Sequence, residues 1–325
     1  MVHLRIVAPD AEAEKALALF EKTDSVYNII VLQDAARKPD GHAILCDVAR
    51  EDASVVIADL KELGIHHCGS IAVEDIDSQI SDVAIAAEKA AAGLPSDAVV
   101  WEEVQARTSE NVELSGSFLA FMVVATLIAA VGILTDQLIL IIGAMVVGPE
   151  FGPLAGLCVA LVHKRGDVAR RSLTALAVGF PLAITCSFLL TLAIDAADLV
   201  PENFSQANHP FTDFIAKPDE FTAIVAILAG VAGILSLTSA KSGALVGVLI
   251  SVTTIPAAAN IGVAAALGDT EEWLGAMGQL SLNLVLIVLS GVVVLFFQRL
   301  LYVRRKSKHR SDEGRKAAGL NSNPG

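Results

Sequence analysis

The chain has 325 residues, of which 54% are hydrophobic and 18% charged, and its mean hydropathy is +0.61. This composition excludes an ordinary soluble domain and is typical of a polytopic membrane protein with a polar domain attached. The net charge of −13 is uneven, because there are 22 acidic and 9 basic residues up to Glu113 and 14 of each after it. We therefore predict an acidic soluble domain before a hydrophobic one. The sequence has no cluster of basic residues of the kind that would predict a nucleic-acid partner.

Residues 1–80 alternate between strand-like and helix-like runs. The order β-α-β-β-α-β predicts a ferredoxin-like domain, with Asp10 as the N-cap of its first helix and Gly64 as the stop of its second. Such a fold binds small ligands, self-associates or covers a partner, so it does not give a function by itself. We expect a homo-oligomer. The start of the chain shows no signal peptide, which favours a cytoplasmic location for this domain.

Histidines and cysteines in this domain raise the question of a metal site. His42 and Cys46 lie on one predicted strand, and His66 and Cys68 fall on the last one. Nitrogen and sulfur ligands suit zinc or copper, but structural sites usually have tighter spacing. The favoured interpretation is a core cysteine and loop histidines, with no metal and no cofactor.

The segments that flank the hydrophobic part are predicted from composition. Residues 81–114 are helix-prone, with an interruption at Gly93-Leu94-Pro95. We predict that they form a linker that carries Trp101 towards the membrane surface. The basic residues of 303–325 are typical of a disordered cytoplasmic tail that anchors the topology.

Six apolar segments of the transmembrane domain, residues 115–302, are near or above the ~20 residues that span a bilayer. They are Ser117–Leu134, Gln137–Val162, Ser172–Ile194, Phe221–Thr238, Ser242–Leu267 and Met277–Leu301. Thirteen of the 14 basic residues after Glu113 fall in alternate loops and the tail. The positive-inside rule then predicts that both termini are cytoplasmic, in a bacterial or archaeal inner membrane.

The six segments form two similar halves, residues 115–195 and 220–302. In each half a small-residue helix ends in Gly-Ile-Leu, a second helix is interrupted at proline, and Gly-Asp precedes the third span. Because three spans is an odd number, the second half enters the membrane upside down. The sequence thus predicts an inverted 3+3 repeat with broken second helices, and such paired breaks mark the central site of many transporters.

The two interruptions supply the candidate binding residues. In the first half they are Gly148, Pro149, Glu150, Gly152 and Pro153, and in the second half they are Thr253, Thr254, Pro256 and Asn260. Glu150 is the one acidic residue expected deep in the membrane, where a charge costs several kcal/mol unless it is paired or protonated. That cost suits coupling to a proton or a cation. Asn283, in the sixth span, is expected to join helices by a hydrogen bond.

The run GAMVVGPEFGP, residues 143–153, followed by a small-residue helix and a basic loop, resembles the signature of domain-of-unknown-function family 389. The resemblance covers about residues 115–301 and implies an integral inner-membrane protein of bacteria or archaea, without an agreed activity. Many members carry an apolar residue where Glu150 stands. The case for transport therefore rests on the repeat and its breaks.

Two functions from different classes remain open at this point. The first is a transporter or channel for a small solute or ion, with its site at the paired breaks and regulation by the cytoplasmic domain. The second is a membrane-anchored sensor or scaffold in which the N-terminal domain binds a ligand or partner. Lipid handling is a weaker third. No enzyme is expected, since no nucleophile elbow, zinc-protease or phosphate-loop motif is present.

Overall fold

A computed structural model describes residues 1–76, 78–91, 98–201, 219–239, 253–309 and 312–320. The chain divides into two compact units. The head unit comprises Met1–Val104 and Gln298–Gly325, and the membrane unit comprises Gln105–Phe297.

The head unit contains a four-stranded sheet. Its elements are β1 (Val2–Ala8), α1 (Asp10–Glu21), β2 (Val26–Arg37), β3 (Asp40–Val48), α2 (Arg50–Glu62), the short α3 (Ile65–Cys68) and β4 (Ser70–Asp75). The spatial order is β2-β3-β1-β4 and every neighbouring pair is antiparallel. The predicted order of strands and helices is therefore observed, in the split βαβ arrangement.

Alternation along the strands places the core of the head unit on one face of the sheet. Every second residue of β1 is fully buried, and β3 contributes Ile44, Cys46 and Val48 to the same cluster. Leu19 of α1 and Leu60 of α2 pack into it. Successive strand side chains point to opposite faces, so this pattern requires the two helices to cover one side.

Local signals in the head unit explain most element ends. Gly64 adopts φ +82 after α2, a conformation that glycine reaches without strain, so the predicted stop is confirmed. Pro9 rather than Asp10 occupies the N-cap of α1, and Asp10 is its first helical residue. His66 and Cys68 were expected on the last strand, but they belong to the turn of helix α3.

The C-terminal segment differs from the expected disordered tail. Arg305 donates to Asp52 of α2 at 3.2 Å, and His309 lies 2.9 Å from the carboxylate of Asp59. The short helix α13 (Glu313–Ala317) brings the buried Arg315 onto the same Asp59. The basic composition of the tail predicted that its side chains would be solvated. In the structure, acidic residues of α2 hold several of them in place by charged hydrogen bonds.

The linker also packs on the head unit in its described part. Helices α4 (Asp82–Ala90) and α5 (Trp101–Asn111) lie within residues 81–114. The backbone N–H of Trp101 donates to Ser54 at 2.9 Å, and its ring meets Tyr302 edge-on at 6.2 Å. Trp101 is thus a buried contact of the head unit, whereas the sequence placed it near the membrane surface.

The remaining helices are strongly apolar. They are α6 (Gly116–Leu134), α7 (Leu138–Val147), α8 (Phe151–His163), α9 (Gly166–Ala196), α10 (Glu220–Thr238), α11 (Thr254–Leu267) and α12 (Thr270–His309). Four of them, α6, α9, α10 and α12, are long and apolar enough to cross a membrane, and the bent pair α7 and α8 makes up to five. Residues 242–252 of the predicted fifth span lie outside the described residues, and α11 is its described half.

Side-chain caps and glycines explain how these helices start and pack. Ser115 accepts from Phe118 N–H at the start of α6, and Asp219 accepts from Thr222 N–H at the start of α10, a bond that lowers the pKa of Asp219. On α11, a Cβ at Gly262 would lie 2.7 Å from Ser187 Cβ of α9. Small residues therefore allow close helix contact, as is typical in membranes.

Candidate functional site

The first helix break separates α7 from α8. Gly148 and Pro149 are not helical, and the axes of the two helices differ by 48°. The carbonyl of Glu150 accepts from Leu154 N–H at 3.2 Å, which makes Glu150 the N-cap of α8. Proline at 149 removes a backbone donor and so helps to end the preceding helix. The predicted break is therefore present, with Glu150 as its last residue.

The interruption is shorter than the sequence predicted. Gly152 and Pro153 lie in the first turn of α8, not in the gap. Pro153 is the third residue of that helix, where a backbone N–H has no intrahelical acceptor to lose. Proline here starts a helix instead of breaking one.

Helix α11, at the site of the second predicted break, starts with the same local construction as α8. The carbonyl of Thr253 accepts from Ala257 N–H at 3.3 Å, so Thr253 is the N-cap. Pro256 is the third helical residue, as Pro153 is in α8. Of the expected interruption at Thr253–Pro256, the last three residues are therefore helical, and the segment before Thr253 lies outside the described residues.

The two helix starts meet through a hydrogen bond between side chains. The hydroxyl of Thr254 donates to the carboxylate Oε1 of Glu150 at 2.7 Å. Glu150 is 2% exposed and Thr254 is fully buried. A hydrogen bond to a charged group contributes about 1.5–3 kcal/mol. The partial positive charges at the starts of α8 and α11 also favour a carboxylate here.

Helix α12 adds two amides to these residues. Asn283 Nδ2 donates to Thr253 Oγ1 at 2.8 Å, and Gln279 Nε2 approaches the same oxygen at 3.4 Å. Gln279 was not identified from the sequence, and Asn283 was interpreted as a bond between helices. The available signal was their spacing of four residues, which places two polar side chains on one face of an apolar helix.

We call Glu150, Thr253, Thr254, Gln279 and Asn283 the polar cluster. Three of its oxygens are buried without a hydrogen-bond partner among the described residues: Glu150 Oε2, Gln279 Oε1 and Asn283 Oδ1. Buried polar atoms are normally satisfied, so three such acceptors make the polar cluster the candidate functional site among the described residues.

Asn260 lies outside the polar cluster. Its amide donates to Glu272, in the first turn of α12, at 3.3 Å. The structure therefore joins Glu150, Thr253 and Thr254 and places the fourth predicted polar residue in a separate contact between α11 and α12.

The alternative metal ligands of the head unit do not assemble with one another. Cys46 is fully buried in the core, and burial raises the pKa of its thiol to about 12. His66 and Cys68 are exposed on α3. Within the described ranges, the residues whose ligand atoms approach within 4.8 Å are Asp10, Asp34 and His42. The two aspartates are exposed, an arrangement that is common without any ion.

Within the described residues, four or five apolar helices are long enough to cross a bilayer, and a buried polar cluster lies where two helices begin. These features fit a polytopic helical membrane protein. Residues 145–289 match the family described as Domain of unknown function (DUF389), so the resemblance predicted from GAMVVGPEFGP is confirmed. The matched region contains the whole polar cluster.

One similar protein is an uncharacterized protein of Methanocaldococcus jannaschii. The two chains are 26% identical over 196 residues, which is 60% of this chain and 58% of the relative. The present chain thus spans less than two thirds of that protein's length. No solved structure matches the chain.

Proposed function

We propose that the protein is a membrane transporter or channel for a small solute or ion, and that the polar cluster is its binding site. The observation that carries this proposal is the 2.7 Å hydrogen bond from Thr254 to Glu150, which joins the break between α7 and α8 to the start of α11. Irregular backbone and a buried carboxylate are costly in hydrocarbon, so they persist where protein or a water-lined cavity surrounds them.

An inverted 3+3 repeat in six spans is the architecture that we propose for the membrane unit. Helices α8 and α11 have 13 and 14 residues, and each has proline at its third position. Each ends at a residue with positive φ, Lys164 or Gly268, directly before the next long helix. This local likeness supports a duplication, and the alternating loop charges support its inversion and cytoplasmic termini.

A role for the head unit in regulation is part of the proposal. Helix α12 carries Gln279 and Asn283 in the membrane unit, and it continues without interruption to His309. Its last part, from Gln298 onward, belongs to the head unit, where Tyr302 and Arg305 bond to α2. A change in the head unit that displaced α12 would therefore act directly on two members of the polar cluster. Homo-oligomerisation through this unit remains our expectation.

The competing hypothesis is a membrane-anchored sensor or scaffold in which the head unit is the working part. An anchor needs apolar helices, but it does not need a buried carboxylate joined to a second helix start. The polar cluster therefore favours transport. Lipid handling would require an apolar occupant of this region, which three unpartnered oxygens disfavour.

Charge movement in proteoliposomes tests the proposal. Wild-type protein would be reconstituted on a solid-supported membrane and exposed to concentration jumps of Na⁺, K⁺, H⁺ and Cl⁻. Stopped-flow light scattering with small uncharged osmolytes would cover neutral solutes. We expect a transient above that of protein-free liposomes for at least one solute, and a loss of roughly tenfold or more in Glu150→Gln.

Thr126→Val is the matched control variant, because the hydroxyl of this buried residue donates to the Met122 carbonyl of its own helix. It should keep wild-type flux. Pro256→Ala should reduce flux by changing the start of α11. Wild-type signals equal to those of empty liposomes for every solute, or full flux in both Glu150→Gln and Pro256→Ala, would contradict the proposed function.

A further inference from the structure

We infer that the polar cluster binds a small monovalent cation, and that Gln279 and Asn283 supply ligand oxygens together with Glu150. This inference rests on the proposed function, because it names the class of ion that occupies the same site. It assigns a ligand role to two amides that the sequence had either missed or interpreted as contacts between helices.

The first argument is the direction of the two amides. Asn283 directs its N–H₂ group at Thr253 Oγ1, and Gln279 does the same from one turn earlier on α12. Since both nitrogens are turned to the same hydroxyl, the amide oxygens are the groups left for a ligand. Asn283 Oδ1 and Gln279 Oε1 are both buried without a donor in the described parts of the chain.

The second argument is the carboxylate. Glu150 uses Oε1 to accept from Thr254, and its Oε2 has no hydrogen-bond partner in the described residues. No lysine, arginine or histidine of those residues forms an ion pair with it. Carboxylate, amide and hydroxyl oxygens are the ligands that hard cations prefer.

Charge balance selects a monovalent cation. Glu150 is the one carboxylate in the polar cluster, so a single positive charge gives a neutral site, whereas a divalent ion would leave a buried net charge. Sites for Ca²⁺ commonly combine several carboxylates among six to eight oxygens. One carboxylate with two amide oxygens and hydroxyls fits Na⁺, K⁺ or Li⁺ better.

The helix starts raise the opposite possibility of an anion, which the geometry disfavours. The partial positive charges of α8 and α11 already face the carboxylate of Glu150, and Pro153 and Pro256 each remove a backbone donor from the first turn. An anion would meet a buried negative charge and three oxygen acceptors. The helix dipoles instead reduce the cost of keeping Glu150 ionised.

Binding measured without flux tests the inference. Full-length protein in nanodiscs would be titrated with NaCl, KCl or LiCl against choline chloride at constant ionic strength, and followed by calorimetry and by the midpoint of thermal unfolding. A ligand that binds only the folded state raises this midpoint, and above Kd the stabilisation grows with the logarithm of the free ligand concentration. We expect saturable binding of at least one alkali cation with a one-to-one stoichiometry.

Variants then assign the ligands. Glu150→Gln removes the negative charge with little change in shape and should weaken binding by about 100-fold or more. Gln279→Met and Asn283→Leu each remove one oxygen and should weaken it by about 10- to 100-fold. The control Thr126→Val should bind as wild type does. If Glu150→Gln does not fold, the two amide variants carry the test by themselves.

Several results would overturn the inference. They are the absence of saturable alkali-cation binding, tighter binding of Ca²⁺ or Mg²⁺ than of any monovalent ion, a response to the anion at constant cation, and unchanged affinity in Gln279→Met and Asn283→Leu. The two proposals fail separately. Cation binding without any flux refutes transport and supports this site, whereas Glu150-dependent flux without cation binding refutes this site alone.

Discussion

The hydrogen bond between Thr254 and Glu150 makes a quantitative prediction about the stability of the membrane unit. Thr254→Val removes the donor while it keeps the shape of the side chain, and Glu150→Gln removes the charge while it keeps a similar length. The double variant completes a thermodynamic cycle. Because the two side chains are 2.7 Å apart and buried, the effects of the two changes on the free energy of unfolding should not be additive.

The expected size follows from the environment of the carboxylate. In the wild type, the loss of a hydrogen bond to a buried charge costs about 1.5–3 kcal/mol, and Glu150 then has no side-chain donor within the described residues. In the Glu150→Gln background the acceptor is neutral, so the same Thr254→Val change costs only about 0.5–1.5 kcal/mol. The interaction energy between the two sites should therefore be about 1–2 kcal/mol.

Reversible unfolding of the full chain in mixed micelles, titrated with a denaturing detergent, measures the four free energies. A second cycle that combines Glu150→Gln with Thr126→Val is the control, since Thr126 bonds to a carbonyl of its own helix. The control pair should be additive within about 0.5 kcal/mol. An interaction energy below that limit for the Thr254 pair, or an equal one for the control pair, would refute the contact.

Three further predictions test the packing within each unit. Gly262→Ala should destabilise the membrane unit by about 1–3 kcal/mol, because its new Cβ would lie 2.7 Å from the side chain of Ser187. Gly143→Ala, with nothing described within 4 Å, should be neutral or should stabilise the unit by about 0.5–1 kcal/mol. The same detergent titration compares the two variants, and equal effects would contradict the packing. Arg315→Met should lower the stability of the head unit by about 1.5–3 kcal/mol, since it removes a charged hydrogen-bond donor from the buried Asp59, which then keeps the contact with His309. Urea unfolding followed by tryptophan fluorescence measures this, and an unchanged transition would argue for a free tail. Maleimide at pH 8 should modify the exposed Cys68 and spare Cys46, because burial raises the pKa of the Cys46 thiol to about 12. Peptide mass spectrometry after brief exposure shows which cysteine is modified first, and equal rates would place Cys46 outside the core.

The tail shows where composition was misleading. Its arginines and lysines are typical of a solvated anchor, yet Arg315 is buried against Asp59 and Ala318 joins the core of the head unit. No local pattern in residues 303–325 contains this information, because the partners lie more than 200 positions earlier in the chain. Long-range ion pairs of this kind depend on which helix faces meet.

The two proline-containing helices give a similar lesson on a smaller scale. Proline in an apolar run predicts a break; the break between α7 and α8 is found at the expected place, and α11 starts where the second break was predicted. The position of the break relative to proline was wrong by a few residues, since Pro153 and Pro256 are the third residues of their helices. Proline disfavours a helix interior but fits a first turn, so its presence indicates a boundary without giving the side.

The sequence by itself determined what local chemistry decides. Alternating apolar residues gave the order of strands and helices in the head unit, apolar length gave the membrane helices, and Gly148-Pro149 gave the gap with Glu150 inside it. Tertiary structure alone decided which residues form the polar cluster with Glu150. Thr254 follows it by 104 positions, and Gln279 and Asn283 reach the cluster from a third helix, because the packing of three separate helices brings them together.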